Sequence, residues 1–233
     1  MNNSKIITVS TGEAWIGLID GTYAIIITLL VIELPTLIIK VINSANENFG
    51  IFQINSLIAL HLIRYLFATI IIYDWWSLHK GYLKICKASR FTSILSMFIL
   101  FFSSLMPPFL YIVNHLAQSM ILADVNTSEI QNLVINQEYL YSRFSLLITI
   151  LIIYFLFFIL VRNQLFRIKK KENKNFQELK ITSKIIIYRL IFTILILPLA
   201  VIDNPIIADI PIFLIALFTL VPLDTYGNLL KKI

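Results

Sequence analysis

Asp20 is the residue in this sequence with the most unusual surroundings. It lies in the stretch WIGLIDGTYAIIITLLVIELP, residues 15–35, where the next charged side chain is Glu33. A carboxylate in hydrocarbon costs several kcal/mol unless it is neutralised or paired, so such a residue faces protein or water and usually has a partner. Asp20 therefore acts either as a structural anchor or as a proton or cation site on a permeation path.

Two donors near the end of the next apolar stretch suit this carboxylate. Trp76 and His79 lie in the segment YDWWSLHKGY. Helices rise about 1.5 Å per residue, so in an antiparallel pair both residues lie at a depth comparable to that of Asp20. Indole and imidazole N–H groups can both donate to a carboxylate. We predict a structural network of Asp20, Trp76 and His79 that ties the first helix to the second, with the proton or cation site as the alternative.

Other charged residues in apolar surroundings would suit coupled transport. Asp74, Asp203 and Arg64 are candidate sites for a proton-coupled secondary transporter, and Pro198 and Pro205 could mark a broken helix. Sequence motifs of catalysis are absent, since no H-E-x-x-H, G-x-S-x-G or glycine-rich phosphate loop occurs. We therefore expect neither an enzyme nor a cofactor.

Membrane-spanning helices must position these residues. The chain is 58% hydrophobic and 14% charged, with apolar runs too long for the core of a soluble domain of 233 residues. A spanning helix needs about 20 mostly apolar residues. Six windows qualify or nearly do, namely 14–34, 57–78, 91–113, 143–161, 185–203 and the short, proline-containing 206–223. We predict an all-α membrane protein with six transmembrane helices in a single domain, residues 1–233.

Lysine and arginine are concentrated in alternate connections between these windows. The second and fourth connections and the C-terminal tail are basic, whereas the third and fifth carry acids. Cytoplasmic loops carry the excess of basic residues, so we predict both termini in the cytoplasm of a multi-pass protein of a cell membrane, of the bacterial inner or plasma membrane type. The net charge of +6 is then a topology signal, and no nucleic-acid partner is expected. The lysine-rich fourth connection is a solvated loop or, alternatively, contacts anionic membrane lipids.

The first helix has two distinct arcs when its residues are placed at 100° intervals. Small residues form a stripe that is typical of close helix packing in membranes: Ala14, Gly17, Gly21, Ala24 and Thr28. A second arc contains Leu18, Thr22, Ile25, Leu29 and Ile32. This arc faces lipid, a neighbouring helix or the axis of an oligomer. Asp20 lies more than about 100° away from Ile25 and Leu29, so it does not point where they do.

Three segments together resemble a known family. The pattern D-x-x-x-A-I-x-x-T-L-L-x-x-E-x-P, from Asp20 to Pro35, resembles the first helix of the transmembrane protein 175 family of potassium channels. WSLHKGY, which contains Trp76 and His79, is similar to the family's W-x-x-H at the end of its second helix. ILSMFILFFSSLMPPF, residues 94–109, is similar to the third helix. The second half of the chain agrees only in hydropathy and in the number of spans.

The resemblance implies a potassium-permeable cation channel. Subunits of six helices form a homo-oligomer, a tetramer in bacterial members, with potassium ions passing between the first helices. Carried over by position, the pore constriction is Ile25, Leu29 and Ile32, with Thr28 as the polar position near it. Such a hydrophobic gate blocks ions by dewetting. Glu33 lies at the outer mouth, where it concentrates cations or, alternatively, caps the helix end.

The family motif R-x-x-x-F-S-D is only partly present. The corresponding positions are Ala14, Leu18, Ile19 and Asp20, so the aspartate remains while the arginine and the serine are missing. In the family this aspartate belongs to a packing network that holds the pore helix. Glu13 cannot supply the missing positive charge. The chain thus resembles a divergent member with altered assembly or gating, or a membrane subunit that does not conduct.

Overall fold

Helices make up nearly all of the computed structural model, which describes residues 12–45, 51–85, 89–123, 129–168, 174–201 and 210–220. They are α1 (Gly12–Ala45), α2 (Ile51–Ile85), α3 (Arg90–Ser104), α4 (Met106–Ala123), α5 (Glu129–Arg167), α6 (Lys174–Ile196), a 3-10 helix (Leu197–Val201) and α7 (Ile210–Leu220). Since these residues contain no strand, the prediction of an all-α fold is confirmed for them.

Five stretches are long and apolar enough to cross a membrane: Ala14–Asn43, Ile54–Ile85, Arg90–Ser119, Ile135–Arg167 and Phe176–Ala200. They overlap the first five predicted windows. Of the sixth window, 206–223, the described residues form the 11-residue α7. The described part of the chain thus contains five helices that are long enough to span, and the sixth span stays a prediction, since residues 206–209 and 221–223 lie outside that part. The cytoplasmic location of both termini stays a prediction.

The third span consists of two helices because two prolines interrupt its hydrogen bonds. α3 begins with a capping box, in which the Ser89 hydroxyl accepts from the Thr92 amide. Pro107 and Pro108 lie in the first turn of α4 and have no N–H to donate to carbonyls four residues earlier. The break falls at Leu105, whose amide donates to the Phe102 carbonyl at 3.2 Å. The first turn is where a helix tolerates proline best.

The packing is uneven between the first helix and the rest. α5 is central and contacts α3, α4, α6 and the 3-10 helix, whereas α1 packs chiefly on α2. α7 lies against α2 and α6. One hydrophobic core contains residues from all seven α-helices. Of the five long stretches, the first has the smallest buried share. α1 therefore lies at the edge of the subunit.

Candidate functional site

α1 buries one side against the subunit and exposes the other. Its buried apolar residues recur every three, four or seven positions, as expected for one face of a helix: Ile19, Tyr23, Ile26, Leu30, Leu37 and Val41. Because α1 packs chiefly on α2, this face is turned toward the second helix and the core. The opposite face is left for an environment outside the subunit.

The aliphatic ridge, which we define as Ile25, Leu29 and Ile32, lies on that exposed face. Its side chains are 62%, 42% and 61% exposed, respectively. Large apolar side chains that are this accessible on a continuous patch mark contact with lipid or with another protein surface. Of the three environments predicted from the sequence, a neighbouring helix of the same subunit is therefore not what covers the ridge in the described part of the chain.

The small-residue stripe of Ala14, Gly17, Gly21, Ala24 and Thr28 is exposed as well. A Cβ atom added at Gly17 or Gly21 would meet no atom within 4 Å. Close approach of another helix would leave no such room. Across the residues that the structure describes, the close packing predicted for this stripe is thus not made within one subunit.

Thr28 presents an oxygen on the exposed face. Its hydroxyl donates a hydrogen bond of 2.8 Å to the Ala24 carbonyl one turn earlier. A hydroxyl has one hydrogen to donate and two lone pairs that accept. Because the hydrogen is used within the helix, the accessible part of this side chain is an acceptor, which can contact water or a cation.

Asp20 is turned toward α2, where two side chains hold it. The Trp76 indole donates to Asp20 Oδ1 at 2.7 Å. The Lys80 ammonium lies 2.9 Å from Oδ2 and 3.1 Å from Oδ1, and 4.7 Å from the centre of the Trp76 ring. We call these three residues the inner clamp. The structure thus brings together Asp20 and Trp76 as predicted and adds Lys80.

Lys80 was missed because it was assigned to the second connection, whose basic residues served only as a topology signal, whereas α2 extends past it to Ile85. A usable signal existed, since Lys80 follows Trp76 by four positions and residues i and i+4 lie on the same side of a helix. If the Trp76 indole donates to Asp20, the Lys80 ammonium on the same side of α2 is expected to reach Asp20 as well.

His79 does not join Asp20 in this structure. It is fully buried, and neither ring nitrogen has a hydrogen-bond partner among the described residues. Its ring instead packs edge-on against Phe157 and Tyr23, with centroids 5.6 and 6.3 Å apart. His79 lies about 100° from Lys80 around α2, so it points into the bundle while Lys80 reaches Asp20. The predicted contact between His79 and Asp20 is therefore corrected to one between Lys80 and Asp20.

A second acid is paired deep in the bundle. Asp74 accepts a hydrogen bond from the Arg189 guanidinium of α6 and another, of 3.3 Å, from the Tyr154 hydroxyl of α5. The Arg189 and Asp74 side chains are 2% and 12% exposed. This core ion pair joins three helices. Arg189 escaped the sequence analysis because its partner lies 115 positions away.

The remaining candidate charges lie elsewhere. The Arg64 guanidinium donates to Asn114 Oδ1 at 2.9 Å, and His61 Nδ1 lies 3.0 Å from the same oxygen. The Tyr65 hydroxyl donates to the Glu33 carboxylate at 3.5 Å, which turns Glu33 toward α2. The remaining transport candidate, Asp203, lies outside the described residues. Arg64 therefore belongs to an α2–α4 contact, apart from the core ion pair.

Comparison with known proteins gives one match. The model of the family described as endosomal/lysosomal potassium channel TMEM175 matches residues 16–107. This range contains the ridge, the inner clamp and the whole of α3, so the resemblance seen in the first half of the sequence is confirmed there. No curated protein and no solved structure matches the chain. The match supports a multi-pass membrane protein of a channel class, which is not a class of enzymes.

Proposed function

We propose that this chain is a subunit of a potassium-permeable cation channel that conducts passively through a pore on the axis of a homo-oligomer. α1 lines that pore, and the ridge of Ile25, Leu29 and Ile32 forms its constriction. The observation that carries the proposal is the arrangement of α1, whose exposed ridge and inward-turned Asp20 lie on different sides of a helix within the region matched to a potassium-channel family.

An oligomer axis suits the ridge better than lipid because of the residues beside it. The small-residue stripe is exposed next to the ridge, and small side chains let neighbouring helices approach closely in a membrane. Packing of the stripe against a second subunit would turn the ridge toward the axis. Four copies, as in the bacterial relatives implied by the resemblance, would surround the pore with four ridges. We infer that both termini lie in the cytoplasm, in a membrane of the bacterial inner or plasma membrane type.

The ridge would act as a hydrophobic gate. From Ile25 to Ile32 the helix rises about 10 Å, so three successive rings of aliphatic side chains line a neck of that length. A cation that enters an apolar neck loses its hydration without compensation, which costs far more than thermal energy. The closed state therefore excludes water and ions together, and opening requires α1 to move outward.

Selectivity would depend on the few oxygens near the neck. Aliphatic rings offer none to replace the hydration shell of potassium. Thr28 is the nearest candidate, since its hydroxyl already donates within the helix and its lone pairs are accessible. Glu33, one residue beyond the ridge, is turned toward α2 by Tyr65, so its charge would attract cations to the outer mouth only through its electric field.

The inner clamp would hold the pore helix in register. In this chain Ala14 occupies the position of the family's motif arginine, and Lys80 supplies a positive charge to Asp20 from the second helix instead. Trp76 contributes a hydrogen bond, and His79 contributes packing against Tyr23 of α1. A divergent motif can thus keep the aspartate anchored, which favours a conducting member over a non-conducting subunit.

A potassium-flux assay on purified protein in liposomes tests this proposal. Ile25→Asn places an amide in the neck, lets water enter and should increase potassium leak about tenfold or more, since each 1.4 kcal/mol removed from the barrier is a factor of ten. Val31→Asn is the matched control, because Val31 is 61% exposed on the same helix but lies about 120° from Ile25. Equal leak in the two variants, or none above empty liposomes, would contradict the pore assignment.

A second candidate, a proton-coupled secondary transporter, is favoured by the core ion pair. Ionisable residues inside membrane helices often mark proton pathways, and Asp74 and Arg189 are buried together. A transporter would give flux that saturates with substrate and depends on a proton gradient, whereas a channel gives passive cation current. Loss of coupled uptake in Asp74→Asn, with Ile25→Asn unchanged, would favour the transporter.

A further inference from the structure

A groove opens between the beginning of α3 and the end of α5, away from the ridge, the inner clamp and the core ion pair. Its volume is about 290 Å³, near the lower limit for ligand sites. The lining residues are Phe91, Phe158, Ile159, Arg162, Asn163 and Phe166. A groove of this size can hold part of a long apolar chain whose remainder lies in the bilayer.

The groove has an apolar wall and a polar end. Phe91 and Phe166 are exposed beside it, although aromatic side chains of this size are normally covered. The Arg162 guanidinium lies 4.8 Å from the centre of the Phe166 ring. Asn163 adds an amide whose Nδ2 has no hydrogen-bond partner in the described part of the chain. The site thus combines a hydrocarbon surface with donors at one end.

The charged residues of the two segments that form the groove are all basic. Neither segment that forms the groove, 89–104 or 155–168, contains an acid, while Arg90, Arg162 and Arg167 are basic. The neighbouring end of α2 adds Lys84. Short connections bring the end of α2, the beginning of α3, the end of α5 and the beginning of α6 to the same end of the bundle. This is the basic end predicted to face the cytoplasm.

We propose that this groove binds one anionic phospholipid, with the phosphate at Arg162 and an acyl chain along Phe91, Phe158 and Phe166. Arginine is the preferred partner of phosphate because its guanidinium offers two parallel donors. Neither segment that forms the groove carries a carboxylate to receive the cationic group of a zwitterionic lipid, so these two segments favour a head group with net negative charge.

Native mass spectrometry of the full-length protein in detergent, titrated separately with phosphatidylglycerol and phosphatidylcholine, tests the site. The unmodified protein should retain phosphatidylglycerol preferentially. Arg162→Gln should weaken phosphatidylglycerol binding about fivefold, as expected for one basic residue at a membrane surface, and remove the preference. Phe166→Ala should weaken both lipids, because it shortens the apolar wall.

Lys180→Gln is the control, since Lys180 is exposed on α6 at the same basic end and does not line the groove. It should leave binding unchanged. Equal losses in Arg162→Gln and Lys180→Gln would overturn the proposal in favour of general attraction to a basic surface. Equal retention of both lipids by the unmodified protein would also overturn it. Binding is measured without ion flux, so the outcome is independent of the channel proposal.

Discussion

The inner clamp and the core ion pair use the same chemistry in opposite settings. In the clamp, the Asp20 and Lys80 side chains are 40% and 27% exposed. In the core pair, the Asp74 and Arg189 side chains are 12% and 2% exposed. A pair whose exposed side meets water contributes little to stability, whereas breaking a buried pair leaves an uncompensated charge in an apolar interior. Two acids that look equivalent in the sequence therefore differ in what they hold together.

Because of this difference, α2, α5 and α6 are held together more strongly than α1 is held to them. The core ion pair joins α2 to α6, and the Tyr154 hydroxyl ties α5 to the same carboxylate. α1 has the smallest buried share of the long stretches and is held near its N-terminal end by the exposed clamp. Within one subunit, displacement of α1 against the rest is therefore expected to cost less than displacement of α5 or α6. This is the property that a pore-lining helix with a widening constriction requires.

The largest effect is expected when the core ion pair loses one partner. Asp74→Ala leaves the Arg189 guanidinium buried without its carboxylate and should lower the free energy of unfolding by about 3–5 kcal/mol. Thermal unfolding of the purified protein in detergent measures this. Asp20→Ala, tested in parallel, should cost clearly less. A cost as large in Asp20→Ala as in Asp74→Ala would remove the distinction between the two pairs.

The double variant Asp74→Leu with Arg189→Met sharpens the same comparison. Replacing both members of a buried pair by apolar residues is often neutral or stabilising, because no charge remains to be desolvated. The double variant should therefore recover most of the stability that Asp74→Ala loses. Failure to recover would mean that the two side chains contribute through packing rather than charge.

The sequence predicted the directions of side chains around the first helix better than it predicted their hydrogen-bond and ion-pair partners. The wheel of the first helix separated Asp20 from the ridge, because a regular period of about 3.6 residues fixes directions without any knowledge of the fold. Trp76 was found from the other regular dimension of a helix, its rise per residue, which gave Trp76 and Asp20 a comparable depth in antiparallel helices. Arg189 lies inside the predicted span 185–203 and its charge could have singled it out, but its pairing with Asp74 could not be predicted, because the sequence does not tell which spans become neighbours. The sixth window stays a prediction, since only Ile210–Leu220 of it lies within the described residues.

An intermediate effect is expected at the tryptophan of the clamp. Trp76→Phe removes the 2.7 Å hydrogen bond to Asp20 but keeps an aromatic ring under Lys80. A hydrogen bond to a charged group contributes about 1.5–3 kcal/mol, and partial exposure of Asp20 favours the lower value. The unfolding free energy should fall by about 1.5 kcal/mol. Tyr73→Phe is the control, because Tyr73 is exposed, its ring lies 5.2 Å from that of Trp76 and the substitution keeps that ring. A similar loss there would mean that the effect does not come from the hydrogen bond to Asp20.

The smallest effect is expected for Lys80→Met, which keeps most of the aliphatic stem and removes only the charge. Partly exposed ion pairs contribute about 0.2–1 kcal/mol, and salt screens them. The difference in unfolding free energy from the unmodified protein should therefore be small at low salt and should shrink further at high salt. Lys180→Met, which removes a charge outside the clamp, should leave the unfolding free energy unchanged at low and at high salt. A large loss that salt does not reduce would mean that the Lys80 ammonium is desolvated in the folded protein, and the clamp would then resemble the core ion pair in energy as well as in chemistry.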